Sequence, residues 1–504
     1  MSEQPAVSMR ERLKAAPAPE MVEAYFRPNV AKGLAHQFVH EMHIHLAHGL
    51  MLARQGIVSE AAMRPIIAAV LELIERGPGL LVIDDAGEDL YSYFEQHLIR
   101  RLGAEIGGRL HTGRSRNDLH TTSWRMALRA AMLGVLDNLV ALRRAALGLA
   151  VDHAETVMPG YTHSQHAQPI TLGYYLLTVT ALLERDFRRL FAALEATDCC
   201  PLGAGALTTT GFPIDRDMTA SMLGFAGVLE IAYDGVSCRD DAHEAAAALA
   251  ILATNLSRLA FDLQAWNTSE YGFIELDDGY SAVSSMMPQK KNPNSLEHAK
   301  AVAGLVTGAL VAALSCSKNT SLADVSDGVT ALNEPVLDAA ARCRVLLPLL
   351  ARVLATMAVR SEAMRRAAET GFGSATELSD MIVREAGLPF RTAHNIVGHV
   401  VRAALAAGRS AVEITSADLD RASQEVLGRA LAIAPARVAE ALDPALNVRA
   451  RTVRGGPAPD NLRAMAAGQG ERLAHDAARL AGVHRRVDQA LDRLVADSRR
   501  FARS

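Results

Sequence analysis

AVAGLVTGALVAALSCS, residues 301–317, runs without a single charged side chain. Such a stretch is either a membrane span, which needs about 18 or more apolar residues, or an inner helix of a large soluble bundle. Its length is at the lower limit and it stands alone in the chain. It is rich in Ala, and Gly304 and Gly308 are spaced so that helix backbones can approach closely. We therefore expect a helix buried on all sides in a bundle, with no membrane as partner.

Working outward, helical periodicity extends over Met63 to Glu75, Thr122 to His153, Thr171 to Ala196, Ala242 to Trp266 and His298 to Ser315, while strand alternation is scarce. Several of these runs exceed the usual helix of about 11–12 residues. The expected fold class is all-α. With 504 residues, half of them apolar, the chain is long enough for two to four domains. Lys plus Arg number 52 against 56 Asp plus Glu, a net charge of -4 that provides no basic stripe for a nucleic acid. The five cysteines, Cys199, Cys200, Cys238, Cys316 and Cys343, show no C-x-x-C spacing, and the first twenty residues have no apolar signal core. Both point to a reducing cytoplasm.

Three polar breaks carry the unusual chemistry. HTGRSRND (111–118) gathers two arginines, a hydroxyl and an amide just before a helix, whose N-terminal amides favour anions. It has the makings of a carboxylate site; the plain alternative is an N-capped helix start. GYTHSQHAQP (160–169) sets His163 beside hydroxyl and amide groups, but an isolated histidine is more often a satisfied structural group than a catalytic one. SSMMPQKKNPNSLEH (284–298) has two lysines to neutralise a carboxylate, Asn292 to donate its amide, and Ser284 and Ser285 on a segment with few anchors. Asn294 and Glu297 also have the spacing of a capping box, which would make Glu297 structural. No His and acidic spacing matches a zinc or iron site, so no metal is expected.

SSMMPQKKNP resembles the G-S-S-x-x-P-x-K-x-N signature of the fumarase, aspartase and argininosuccinate lyase superfamily, with Val283 in place of the usual glycine. HTGRSRND, GYTHSQHAQPITLG and PLGAGALTTTGFPIDR are similar to the argininosuccinate lyase branch, and the likeness continues through 375–398 and 451–462. The resemblance implies a three-domain helical protomer: an N-terminal helical domain 1–117, a central long-helix domain 118–370 and a C-terminal helical domain 371–504. It also implies a homotetramer with a helical-bundle core and active sites each shared by three subunits.

The implied reaction is β-elimination of an amine from a succinyl group, releasing fumarate without a cofactor. By the same resemblance Ser284 is the general base, while Lys290 and Asn292 stabilise the carbanion as an aci-carboxylate. Ser115, Arg116, Asn117, Thr162 and Ser285 hold the succinyl carboxylates. His163, steadied by Glu297 of another subunit, assists the departing amine or supports the site electrostatically. Met286 and Met287 fit a mobile lid, and Gln289 with Met287 completes the substrate contacts.

The departures fall on one side. Argininosuccinate lyases carry Tyr-Asn-x-Asp-Leu-Gln-Glu-Asp-Lys-Glu after the central helix, and its Tyr, Gln and Lys help hold the arginine part of the substrate. Here Val325, Thr330 and Asn333 stand in those places, Tyr91 replaces a histidine, and an N-terminal Trp-Gly-Gly-Arg-Phe is missing. The expected substrate is therefore another N-substituted aspartate, such as the aminopolycarboxylate ethylenediamine-N,N'-disuccinate. The alternatives are argininosuccinate itself and, in another class, a non-catalytic crystallin-like protein. The complete set Ser284, His163, Lys290 and Asn292 argues against the latter.

Overall fold

The computed structural model describes residues 12, 13, 15–85 and 87–504. Most of the N-terminal stretch read above for a signal core lies outside the described residues.

The chain is mainly helical, as its periodicity requires. α1 (Phe38–Arg54), α2 (Glu60–Arg76) and α3 (Leu90–Leu102) precede the longest helix of the centre, α4 (Arg116–Asp152). A β-hairpin, β1 (Val157–Thr162) and β2 (Gln165–Thr171), then leads into α5 (Leu172–Thr197). The central layer is completed by α6 (Asp240–Trp266), α7 (Asn294–Ser317) and α8 (Asn333–Thr356). Leu136, Leu190, Leu249, Leu256 and Leu350 are all fully buried in the shared core of these helices. Truncating any one of them to Ala would cost about 2–5 kcal/mol.

Two further apolar cores flank this one. The first joins α1 and α2 through Met42, Leu46 and Ile67. The second lies among α9 (Ala375–Ala386), α10 (Phe390–Ala406) and α11 (Ser416–Leu427). The last helix, α12 (Pro459–Arg503), runs 45 residues. Its buried Ala466, Leu473, Leu480, Val487 and Leu494 recur every seven positions, a seam that lays it along the central core and ends it in the N-terminal one.

Two expectations need correction. Helix α7 is not buried on all sides: Leu296, Ala299, Val302, Ala303 and Val306 pack inward, but Leu305, Val311 and Leu314 are each half or more exposed. Among the described residues nothing covers that face. The stretch 158–169, read as a polar break, is the strand pair β1–β2, in which Thr162 pairs with Gln165 around a two-residue turn. His163 and Ser164 form that turn with φ of 52° and 58°. Asn-Gly is the usual sequence for such a turn, so the hairpin signal was absent.

Candidate active site

The start of α4 is built by its own sequence. Ser115 is extended and its hydroxyl accepts from the Asn117 N–H, while Asp118 accepts from the Ser115 N–H, a reciprocal cap. The second Asp118 oxygen accepts from the N–H groups of Gly203 and Gly205, both at 2.9 Å. One fully buried carboxylate thus fixes the helix start to the PLGAGAL loop. Both glycines have positive φ, and a Cβ on Gly205 would lie 2.5 Å from the Thr209 carbonyl oxygen. Burial raises the Asp118 carboxyl to about 6 against these hydrogen bonds.

Beyond this cap opens a polar cavity of about 220 Å³. Arg116, Asn117, His120 and Trp124 line it from one face of α4, and Asp324, Ser326 and Thr330 close the opposite side. The Arg116 guanidinium, which lines the cavity, reaches Asp89 at 3.0 Å and Glu88 at 3.3 Å through one nitrogen, while its other nitrogens make no hydrogen bond among the described residues. Asn117 donates to the Ala206 carbonyl at 3.4 Å. Burial opposes ionisation of Asp89, and His120, Arg116 and Ser92 more than offset it, so that carboxyl sits below its usual value. On the floor lies Glu41, fully buried, with neither oxygen hydrogen-bonded among the described residues. Burial pushes its carboxyl up to about 8, with Asp89 adding to the shift and Arg114 opposing it.

The 284–290 loop is closed at its base by two short strands, β3 (Ala282–Val283) and β4 (Lys291–Asn292), paired antiparallel. Ser284 Oγ accepts from the backbone N–H of Met287 at 3.0 Å and of Met286 at 3.3 Å. Donors aimed at a hydroxyl oxygen favour its deprotonated form; the same geometry is also an ordinary serine turn. Among the described residues no such pair of bonds reaches Ser285. The two lysines divide. Lys291 is ion-paired to Asp278 at 2.6 Å and Glu275 at 3.4 Å, and the hydrogen bond to Asp278 raises its ammonium above the ordinary value. Lys290 is exposed and makes no ion pair among the described residues. Ser285, Met287 and Gln289 are exposed as well, and Asn292 is half-buried in β4. The Asn294–Glu297 capping box does not form: Pro293 occupies the cap of α7 without a side-chain bond, and Glu297 is exposed.

Thr162 and His163 are exposed at the tip of the hairpin. They lie past the C-terminal end of α4, whereas Ser115, Arg116 and Asn117 sit at its start, and the helix has 37 residues. At 1.5 Å per residue that separates the two groups by about 55 Å. One chain does not bring them together.

Glu41, Asp89, His120, Arg239 and Asp324, all lining the cavity, were not singled out from the sequence. For His120 a signal existed, since 116, 120 and 124 lie on one helical face. The others come from segments far apart in the chain.

Residues 17–308 match the family model described as Lyase, and residues 372–449 match that of the argininosuccinate lyase C-terminal region. The chain belongs to this lyase family, within the fumarase/aspartase superfamily, and is a carbon–nitrogen lyase by class. More narrowly, it falls in the argininosuccinate lyase branch. It is 39% identical over 448 residues to argininosuccinate lyase 1 of Shouchella clausii, covering 89% of this chain and 90% of that one. It is 38% identical over 492 residues to argininosuccinate lyase of Methanosarcina acetivorans, covering 96% and 97%. Among solved structures it superposes on EDDS lyase in complex with formate with a TM-score of 0.87 at 33% identity, covering 97% of each chain. The class II fumarase of Schistosoma mansoni shares the fold alone, with a TM-score of 0.69 at 14% identity, covering 84% of this chain and 93% of that one.

Proposed function

We propose that the protein is a cytoplasmic homotetramer that cleaves an N-substituted aspartate other than argininosuccinate, releasing fumarate and an amine. The observation that carries the chemistry is the pair of backbone N–H groups on Ser284 Oγ. In the reaction the Ser284 oxygen takes the proton from the carbon next to the carboxylate. The electron pair forms the new double bond, the carbon–nitrogen bond breaks, and the amine leaves with a proton supplied through His163. Lys290 and Asn292 offset the charge that grows on the carboxylate. Thr162, Ser115, Asn117, Ser285 and the free donors of Arg116 hold the succinyl group, with Gln289 and Met287 on the closing loop.

The separation of Asn117 from His163 along α4 supports a site shared between subunits, with Glu297 of one chain steadying His163 of another. The uncovered apolar face of α7 is the surface on which copies would pack. In the division at 117 and 370, the first domain then contributes 115–117 to the shared cleft and the central domain contributes both 162–163 and 284–297.

The choice of substrate rests on the 325–333 segment. Thr330 faces the cavity, but Asn333 is buried and donates to the Val329 carbonyl at 3.0 Å, so it offers nothing to a ligand. The likeness to EDDS lyase supports an aminopolycarboxylate type of substrate; the identity to argininosuccinate lyases favours argininosuccinate as the second reading. Incubating the protein with fumarate and separate amines, arginine included, and identifying the adducts by mass spectrometry decides between them. Adduct formation with arginine alone would sink the first reading.

A further inference from the structure

The hairpin that carries His163 is held from the side by residues 371–373, which follow the helix Ser361–Thr370. Their backbone passes β2 so closely that neither glycine could carry a side chain. A Cβ on Gly371 would collide with Nδ1 of His166, and a Cβ on Gly373 with the carbonyl oxygen of Ala167. At Gly371 φ is −75°, which any residue adopts, and Gly373 has no positive φ either. Space, not backbone conformation, calls for glycine at both.

His166 is gripped from its other side as well. It pairs across the hairpin with Tyr161, whose ring stands edge-on to it at 5.3 Å with Oη 3.4 Å from Nε2. Tyr161 lies against Tyr271 at 5.9 Å, and Tyr271 stands edge-on at 5.5 Å to Phe273, which is buried in the central core. The strand pair is thus clamped between a bare backbone and an aromatic row rooted in the core. The clamped pair, Tyr161 and His166, comes one step before Thr162 and Gln165, which flank the turn at His163. The His163 side chain is exposed and makes no hydrogen bond among the described residues, so the hairpin alone decides where it stands.

We infer that Gly371 and Gly373 are positioning residues for proton transfer to the leaving amine: their lack of a side chain seats β2 and so places the His163 imidazole. This rests on the reading of His163 as the proton donor and deepens it. A displacement of about 1 Å in such a group costs about a hundredfold in rate.

The test follows addition of ethylenediamine and of arginine to fumarate by loss of absorbance, beside hydrogen exchange read by mass spectrometry. Gly373→Ala should lower kcat about tenfold to a hundredfold with KM for fumarate little changed. Exchange should quicken over 157–171 and stay parental over α4. Gly371→Ala should lose less, because the ring it meets can swing aside. Combined with His166→Ala, it should work as well as His166→Ala alone. Gly373→Ala meets a backbone oxygen, so His166→Ala should not restore it. An unchanged kcat in Gly373→Ala, or a loss carried by KM alone, overturns the inference. Should Gly373→Ala loosen the whole chain, the Gly371→Ala and His166→Ala pair decides, and independent losses in that pair overturn it. Near-normal turnover in His163→Gln overturns the donor reading and the inference together, whereas an inactive His163→Gln beside a parental Gly373→Ala overturns the inference only. A parent that adds neither amine overturns the lyase reading as well.

Discussion

Ser284 Oγ lies 3.0 Å from the backbone nitrogen of Met287 and accepts its hydrogen bond, so a residue of the closing loop holds the hydroxyl of that same loop. The bond ties the proposed base to the conformation of the loop. Ser284→Ala should lower turnover by about a hundredfold to ten-thousandfold, the usual worth of a positioned proton-transfer group. Folding should be spared, because a half-exposed loop hydroxyl supports little packing. Steady-state rates alongside size-exclusion chromatography check it; near-normal turnover moves the role to Ser285 or His163.

Because Asn117 and Ser284 would serve one site from different chains, two inactive variants should repair each other. Ser284→Ala and Asn117→Ala proteins, unfolded together and refolded as a mixture, should regain activity that neither has alone. A mixture as inactive as its components would mean that each site is built within one chain.

Argininosuccinate should be a poor substrate, with kcat/KM well below about 10⁴ per molar per second. Its guanidinium, amino and carboxylate groups lose the aromatic, amide and cation that family members supply. Each group left unpaired as water is expelled costs about 1–3 kcal/mol. Coupled detection of arginine release measures this directly, and an ordinary efficiency would make the protein an argininosuccinate lyase.

Removing the Asp118 carboxylate should be costly although it touches no substrate in this arrangement. Asp118→Ala strands the N–H groups of Gly203 and Gly205 and undoes half of the α4 cap. The expected loss is roughly 3 kcal/mol or more, read as a lower midpoint in denaturant unfolding, with faster proteolysis in the 201–217 loop.

Glu41 gives a dependence on pH with a definite sign. Its carboxyl is raised to about 8 in the folded protein, above its unfolded value, so the folded state keeps the proton longer. The stability this gives is complete at acid pH and is lost as pH rises toward 8. Glu41→Gln should therefore gain on the parent by roughly 1–3 kcal/mol between pH 6 and pH 8.5. Denaturant titrations at both values test it, and parallel curves would show that Glu41 is charged throughout.

How much of this could be read in advance depended on whether the determinant was local. The motif around Ser284 and Lys290, and the cap of α4 at Ser115, are contained in a few consecutive residues and were legible. The role of Asp118 was not, because its partners are 85 and 87 positions away. Glu41 and Asp324 escaped notice for the same reason: an isolated acid in a helical run looks like solvated surface until the cavity is seen. The exposed face of α7 was misjudged since apolar composition reports that a surface seeks cover, not which chain supplies it.

The turn at His163 and Ser164 bears on how this protein can be improved. Two non-glycine residues with positive φ carry strain that Asn-Gly would relieve. Directed evolution for heat tolerance would therefore tend to enrich glycine or asparagine at these two positions. At 164 such a gain is harmless to the imidazole; at 163 it deletes the proposed proton donor. A library selected on melting temperature alone would drift toward well-folded, inactive proteins through this one turn, so position 163 should be held fixed and activity scored beside stability.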